Sequence, residues 1–172
     1  MKKTMEDLAR KSAEEMRGSE KRPVVVILDD VRSMHNVGSV FRTCDAFAVE
    51  AVYLCGYTPQ PPHRDIHKTA LGATETVRWQ HFTTVMDAVK HSKELGYKVL
   101  AVEQAHNSQS LQDMNYDGER LALLFGNEVA GVNEDALKAA DGCLEIPQWG
   151  SKHSLNISVS VGVVLWEIVR KI

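Results

Sequence analysis

The sequence predicts an α/β domain built on a mostly parallel sheet flanked by helices. Three observations predict it: short apolar, β-branched runs recur along the chain; stretches of helical period separate them; and the runs are apolar throughout, as in strands buried on both faces. At 172 residues, with 44% hydrophobic and 25% charged residues, the chain suits one soluble globular domain with its own core. No internal repeat or low-complexity tract divides it.

The first 22 residues, rich in Lys and Arg, form a segment apart from the domain that spans residues 23–172. Within that segment Met5, Leu8, Ala9, Ala13 and Met16 recur at helical spacing, and Gly18 supplies a stop. Such a helix is marginal alone, so it either docks on a partner or frays as a basic arm. "VVVIL" (24–28) reads as a doubly buried strand. "HNVGSVFRTCDAF" (35–47) reads as a helix with Asn36 as its N-cap. Val37, Val40, Phe41 and Cys44 are its buried stripe, with Ser39 and Arg42 on another face. "AVYLCG" (51–56) is the next strand, followed by the Pro-rich loop "YTPQPPHRDIHKT" (57–69). A helix at about 84–95, with Val85, Met86 and Val89 inward, leads to the strand "YKVLAV" (97–102). "RLALLF" (120–125), a helix at about 133–140 and the strand "CLEI" (143–146) follow. The last segment, "SLNISVSVGVVLWEIVRKI", alternates with period two at Leu155, Ile157, Val159, Val161 and Val163, as a strand would. It is too long for an ordinary strand, and Ser154 can cap a helix. Local pattern leaves the two readings open.

Composition narrows the function classes. Cys44, Cys55 and Cys143 are far apart and odd in number, which predicts reduced thiols in a cytoplasmic protein rather than a disulfide frame or zinc site. No apolar run reaches the length of a membrane span, and no signal-like opening is seen. The net charge of −3 gives no global sign of nucleic-acid binding, so any such contact must come from local patches. In the Pro-rich loop, His63 and His67 lack further ligands at metal-site spacing, and no metal is expected.

Ligands of open α/β sheets bind outside the carboxyl ends of the strands, and three unusual loops lie there. The first opens the 35–47 helix and places Arg42 either on the solvent face or within reach of a phosphate or ribose. The second, "FGNEVAGV", frames Glu128 between Gly126 and Gly131. It lacks the Lys-Ser/Thr pair of a phosphate loop and the close glycine pair of a dinucleotide fingerprint. Its glycines still permit close approach of backbone to a ligand. The third, "IPQWGSKHSLN", joins Ile146 and Pro147 to Ser154, Leu155 and Asn156, with positive charge at Lys152 and His153. Asn156, two residues into an apolar run, needs hydrogen-bond partners.

In this order, "NVGSVFRTCDAF", "FGNEVAGV" and "IPQWGSKHSLNISVSVGVVLWE" resemble the three motifs of the SpoU, or TrmH-like, branch of the SPOUT methyltransferases. The resemblance spans residues 24–169, and "HKTALGATETVRW" is similar to the corresponding segment of small family members. It implies a deep trefoil knot at the C-terminal end of the sheet, a helix for the final segment, and a homodimer with active sites near the subunit interface. It also implies S-adenosylmethionine as cofactor and a ribose 2′-hydroxyl of tRNA or rRNA as methyl acceptor, with no membrane or metal involved. By motif position, Gly126, Ile146 and Leu155 would line the cofactor pocket. Asn36, Arg42, Glu128, Ser154 and Asn156 would form the catalytic group. A guanidinium stays charged in proteins, so Arg42 is expected to hold a phosphate or developing alkoxide as a cation rather than to act as a base. Ser154 and Asn156 would orient the ribose, and Glu128 would fix Arg42 or a neighbouring amide. Arg64, His67, Lys68 and Lys152 are candidate RNA contacts, and the first twenty-odd residues share in substrate choice. The rival expectation is an RNA-binding protein that keeps the fold without transfer activity.

Overall fold

A computed structural model describes residues 2–4, 7 and 10–172. The elements run in chain order α1 (Ala13–Gly18), β1 (Arg22–Asp29), α2 (Met34–Ala46), β2 (Val49–Cys55), α3 (Arg64–Ala70), β3 (Arg78–Phe82), α4 (Val85–Glu94) and β4 (Tyr97–Val102). They continue as β5 (Gln109–Ser110), β6 (Arg120–Phe125), α5 (Glu134–Ala139), β7 (Gly142–Glu145) and α6 (Ile157–Val169). Single 3-10 turns lie at Ala73–Glu75 and Leu111–Asp113.

All strand pairings are parallel, in the order β3-β2-β1-β6-β4-β7-β5. β1, β4 and β6 occupy the middle and are buried on both faces, as their unbroken apolar runs require. One face packs against α2, α3 and α6 through Val24, Val26, Leu28, Phe41, Ile66 and Leu165. The other packs against α4 and α5 through Val25, Ile27, Val89, Val99, Leu124 and Ala136. A fully buried Leu or Ile such as Leu165 or Ile168 contributes about 1.5–3 kcal/mol through its removal from water. The chain winds outward from β1 to β3 on one side, then crosses to β4 on the far side of β6. Because every strand is parallel, the carboxyl ends all lie along one edge of the sheet, and the three loops of interest leave it after β1, β6 and β7. β7 sits between β4 and β5, so the connection from β4 to β6 reaches around a strand that comes later in the chain.

One expectation, the helix that the family resemblance implies for the final segment, holds; several others need correction. The final segment is a helix, because its apolar residues cover the inner face at 157, 161, 164, 165 and 168 while Val159 and Val163 remain exposed. Its cap is Asn156, not Ser154; the Asn156 side chain accepts from the Ser158 amide. Ser33, not Asn36, caps α2, and its hydroxyl accepts from the Asn36 amide at 3.2 Å. Met86 points outward at 40% exposure, while Val85, Ala88, Val89 and Ser92 form the inner face of α4. The Pro-rich loop holds a helix, α3, capped by His63. α1 buries none of its residues. Met5, Leu8 and Ala9, part of the expected N-terminal helix, lie outside the described residues. No helix among the described residues is long and apolar enough to cross a membrane.

Candidate active site

The loop leaving β6 is closed by its own backbone. Asn127 and Gly131 exchange two backbone hydrogen bonds, each 3.1 Å long, and Asn127 Oδ1 accepts from the amides of Val129 and Ala130. A methyl group on Gly126 would collide with the Gly131 carbonyl and the Val132 amide, so only glycine permits this approach. Gly131 adopts φ +70°, in the left-handed region that glycine enters without strain. Glu128 stands at the apex.

From that apex a chain of hydrogen bonds joins all three loops. Glu128 Oε1 accepts from Asn36 Nδ2 at 3.0 Å, and Asn36 Oδ1 accepts from Asn156 Nδ2 at 3.2 Å. Asn156 Oδ1 accepts from the Ser158 amide at 2.9 Å. The ends fix the direction: a carboxylate only accepts and an amide N–H only donates, so each asparagine has one usable orientation. Because Ser33 takes the cap position, the Asn36 side chain is free for this network. Burial favours the neutral form of Glu128, but hydrogen bonds from its own amide, Asn36, Arg32 and Ser33 outweigh it and hold the carboxyl below its usual range.

Beside this chain lies a cleft of about 540 Å³, lined by Gly126, Glu128, Ile146, Ser154, Leu155 and Asn156 among others. Its size falls within the range of pockets for nucleoside-sized ligands. The residues expected at the cofactor (Gly126, Ile146 and Leu155) thus share one cavity with three of the five expected catalytic residues, Glu128, Ser154 and Asn156, and Asn36 is hydrogen-bonded to two of these three. Arg42 is separate. It is exposed on the outer side of α2, makes no hydrogen bond or ion pair among the described residues, and does not line the cleft. Glu128 therefore fixes an amide, Asn36, and not Arg42. Arg64, His67 and Lys68 are exposed on α3, where Lys68 pairs with Asp65 at 2.7 Å. Lys152 is exposed on the segment between β7 and α6. Among the described residues no cluster of three or more His, Cys, Asp or Glu is placed to hold a metal ion.

Two further residues bear on the cleft. Glu103 Oε2 accepts from the Val132 amide at 2.9 Å, and Gln104 Nε2 donates to the His153 carbonyl at 3.0 Å. The "EQ" that follows a strand carries no signal of such a role in one sequence; only the packing of two distant loops onto it gives it meaning.

Residues 23–166 match the model of the SpoU rRNA Methylase family. The chain belongs to that family. This SpoU-family chain is 32% identical over 162 residues to the tRNA (guanosine(18)-2'-O)-methyltransferase of Thermus thermophilus, covering 94% of this chain and 82% of that one. It is 31% identical over 148 residues to the Escherichia coli protein of the same name, covering 86% of this chain and 63% of that one. Among solved structures, the AdoMet-bound rRNA methyltransferase from Sinorhizobium meliloti superposes with a TM-score of 0.82 at 27% identity. That match covers 90% of this chain and 59% of that one.

Proposed function

We propose that this SpoU-family chain is an S-adenosylmethionine-dependent methyltransferase that acts on a ribose 2′-hydroxyl of tRNA or rRNA. The observation that carries this reading is the Glu128–Asn36–Asn156 hydrogen-bond chain, which holds three motif loops around one cleft. The activities named for the Thermus and Escherichia relatives, and the AdoMet bound in the Sinorhizobium structure, support the same chemistry.

The cofactor supplies a methyl group on a sulfonium, which already carries a good leaving group. The chain must position the 2′-oxygen and help its proton depart. Gly126, Ile146 and Leu155 line the space for the cofactor. Ser154 and Asn156 orient the ribose at the mouth of the cleft, and Glu128 keeps Asn36 and Asn156 in place. Arg42 remains cationic and binds the neighbouring phosphate or the developing alkoxide; the proton passes to phosphate or water.

Arg42 does this in a homodimer, from one protomer to the cleft of its partner. Three observations support that arrangement. Arg42 lies outside its own cleft. Val159, Val163 and Trp166 leave an apolar face on α6, next to α2, at 50, 39 and 62% exposure. A second cavity of about 540 Å³ joins that face to Leu111, Pro147 and Trp149. A surface of this kind is expected to be covered by another copy. The trefoil knot belongs to the same proposal, and the strand order, with β7 lying between β4 and β5, supports it. The site residues, the RNA-facing roles of Arg64, His67, Lys68 and Lys152, the arm at 1–22 and the cytoplasmic setting complete the reading. The free Cys44, Cys55 and Cys143 agree with a reducing compartment.

Purified protein incubated with labelled S-adenosylmethionine and total RNA from cells lacking the gene should label tRNA or rRNA at one ribose. Cofactor binding with no transfer to any RNA would favour instead an RNA-binding protein that has kept the fold.

A further inference from the structure

Glu103 and Gln104 follow β4 and lie in none of the three motif loops, yet both loops that enclose the cleft are attached to them. The Glu103 carboxylate accepts two amides, Val132 through Oε2 at 2.9 Å and Gln104 through Oε1 at 2.8 Å. Its backbone is locked to β7: the Glu103 amide donates to the Leu144 carbonyl at 3.0 Å, and Cys143 Sγ donates to the Glu103 carbonyl at 3.4 Å. The carboxylate is thus carried on a backbone fixed to the sheet frame and held by its two amide donors. Val132 closes the loop that begins at Gly126. A methyl group on Gly131 would sit against Glu103 Oε2 and would have to push this carboxylate aside, so the two lie in direct contact. The next side chain faces the other loop, with Gln104 Nε2 bonded to the His153 carbonyl at 3.0 Å, next to Ser154 and Leu155. Glu103 and Gln104 both line the cleft. Among the described residues Glu103 has no cationic partner, so it is held by backbone amides and not by an ion pair.

We propose that Glu103 and Gln104 are positioning residues of the cofactor cleft, a bracket that sets the spacing between the loop at 126–132 and the segment at 146–156 and so sets affinity for S-adenosylmethionine. This rests on the cofactor reading above. The chemistry demands a carboxylate at 103. An amide has one acceptor oxygen and cannot serve both N–H groups; its NH₂ would face one of them. Aspartate is one methylene too short to keep both bonds from the same backbone position.

The test pairs cofactor titration by calorimetry with hydrogen exchange of the free protein, using Glu103→Gln, Glu103→Asp and Gln104→Ala. Asp141→Asn is the control. Asp141 accepts from the Val99 amide at 2.8 Å at the opposite end of β4, a bond of the same type away from the cleft. Both Glu103 variants should weaken cofactor binding about 10-fold and Gln104→Ala about 3-fold, with kcat at saturating cofactor within about 2-fold of wild type. The Asp141 variant should lower thermal stability and leave cofactor affinity alone. In the free protein, amides at 127–133 should exchange faster in the Glu103 variants and those at 153–156 faster in Gln104→Ala. Wild-type affinity in Glu103→Gln, or an equal loss in Asp141→Asn, overturns the proposal. If wild type binds no S-adenosylmethionine, the cofactor reading fails. The exchange data then judge the bracket alone: unchanged protection of both loops overturns it, and faster exchange upholds its structural half.

Discussion

The two faces of the sheet are equally apolar inside and differ outside. On the face covered by α4 and α5, the outer layer ends in Lys90, Lys93, Glu94, Glu134, Asp135 and Lys138, and α4 carries a single half-exposed Met86. That face is finished as water expects. On the other face, α6 buries Ile157, Val161, Val164, Leu165 and Ile168, then turns Val159, Val163 and Trp166 outward, with Trp149 at 88% exposure nearby. A helix apolar nearly all round is half of a contact. The unfinished face is also the one that carries Arg42 and Asn36. Burial on one side of the sheet thus supplies stability alone, and the proposed assembly and chemistry both fall on the other.

Breaking the unfinished face should have the largest effect. On the proposed assembly, the double variant Val163→Glu with Trp166→Glu should convert a dimer to a monomer, read by sedimentation, and lower methyl transfer at least about 100-fold by removing the partner's arginine. Asn156→Ala should leave the proposed dimer intact and lower kcat by about 100-fold, since it removes a link of the hydrogen-bond chain and the group proposed to orient the ribose. Arg42→Lys keeps the charge and loses the planar fork, and a loss of about 10-fold is expected. Near-normal turnover in Arg42→Lys would mean that charge alone suffices.

The finished face offers smaller effects. Asp29 ends β1 on that side, is buried, and has its carboxyl pushed up to about 6 by burial first and by the neighbouring Asp30 second, against a contact with the Asn133 amide. The folded state therefore binds this proton more tightly than the unfolded one. The cost of ionised Asp29 is present in full above pH 6 and fades as pH falls toward 4. Asp29→Asn should raise stability by about 1–2 kcal/mol at pH 7.5, with the gain shrinking by pH 4, as thermal midpoints across that range would record. Met86→Glu should change stability by less than about 0.5 kcal/mol and leave the oligomer unchanged.

How much of this could be read from residues alone follows the same division. Strands at 24–28, 97–102 and 120–125 were legible because a doubly buried strand carries an apolar run, with polar residues only near its start, Lys98 in β4 and Arg120 in β6. β3, "RWQHF", was not: as an edge strand it buries only Phe82 fully and shows no apolar run. α3 was hidden by the prolines before it, and the strand order was hidden because pairing is a property of the packed chain. Period two at the final segment arose because the unfinished face of α6 is apolar too. The three loops stand out by their place at strand ends and their residue types; family resemblance makes them motifs, and geometry sharpens their chemistry. Asn36 is a network residue rather than a cap, and Glu128 holds an amide rather than the arginine. Glu103 and Gln104 had no signature to read.

Mixed dimers test the central claim most directly. Arg42→Ala and Asn156→Ala should each retain no more than about 1% of wild-type activity alone. In a hybrid dimer, the intact cleft of the Arg42 variant meets the intact arginine of the Asn156 variant, giving one working site. A random mixture should then recover about a quarter of wild-type methyl transfer, because half the dimers are hybrids with one site of two. No recovery in a mixture shown to contain hybrids would place Arg42 and Asn156 in the same protomer's site and contradict the account.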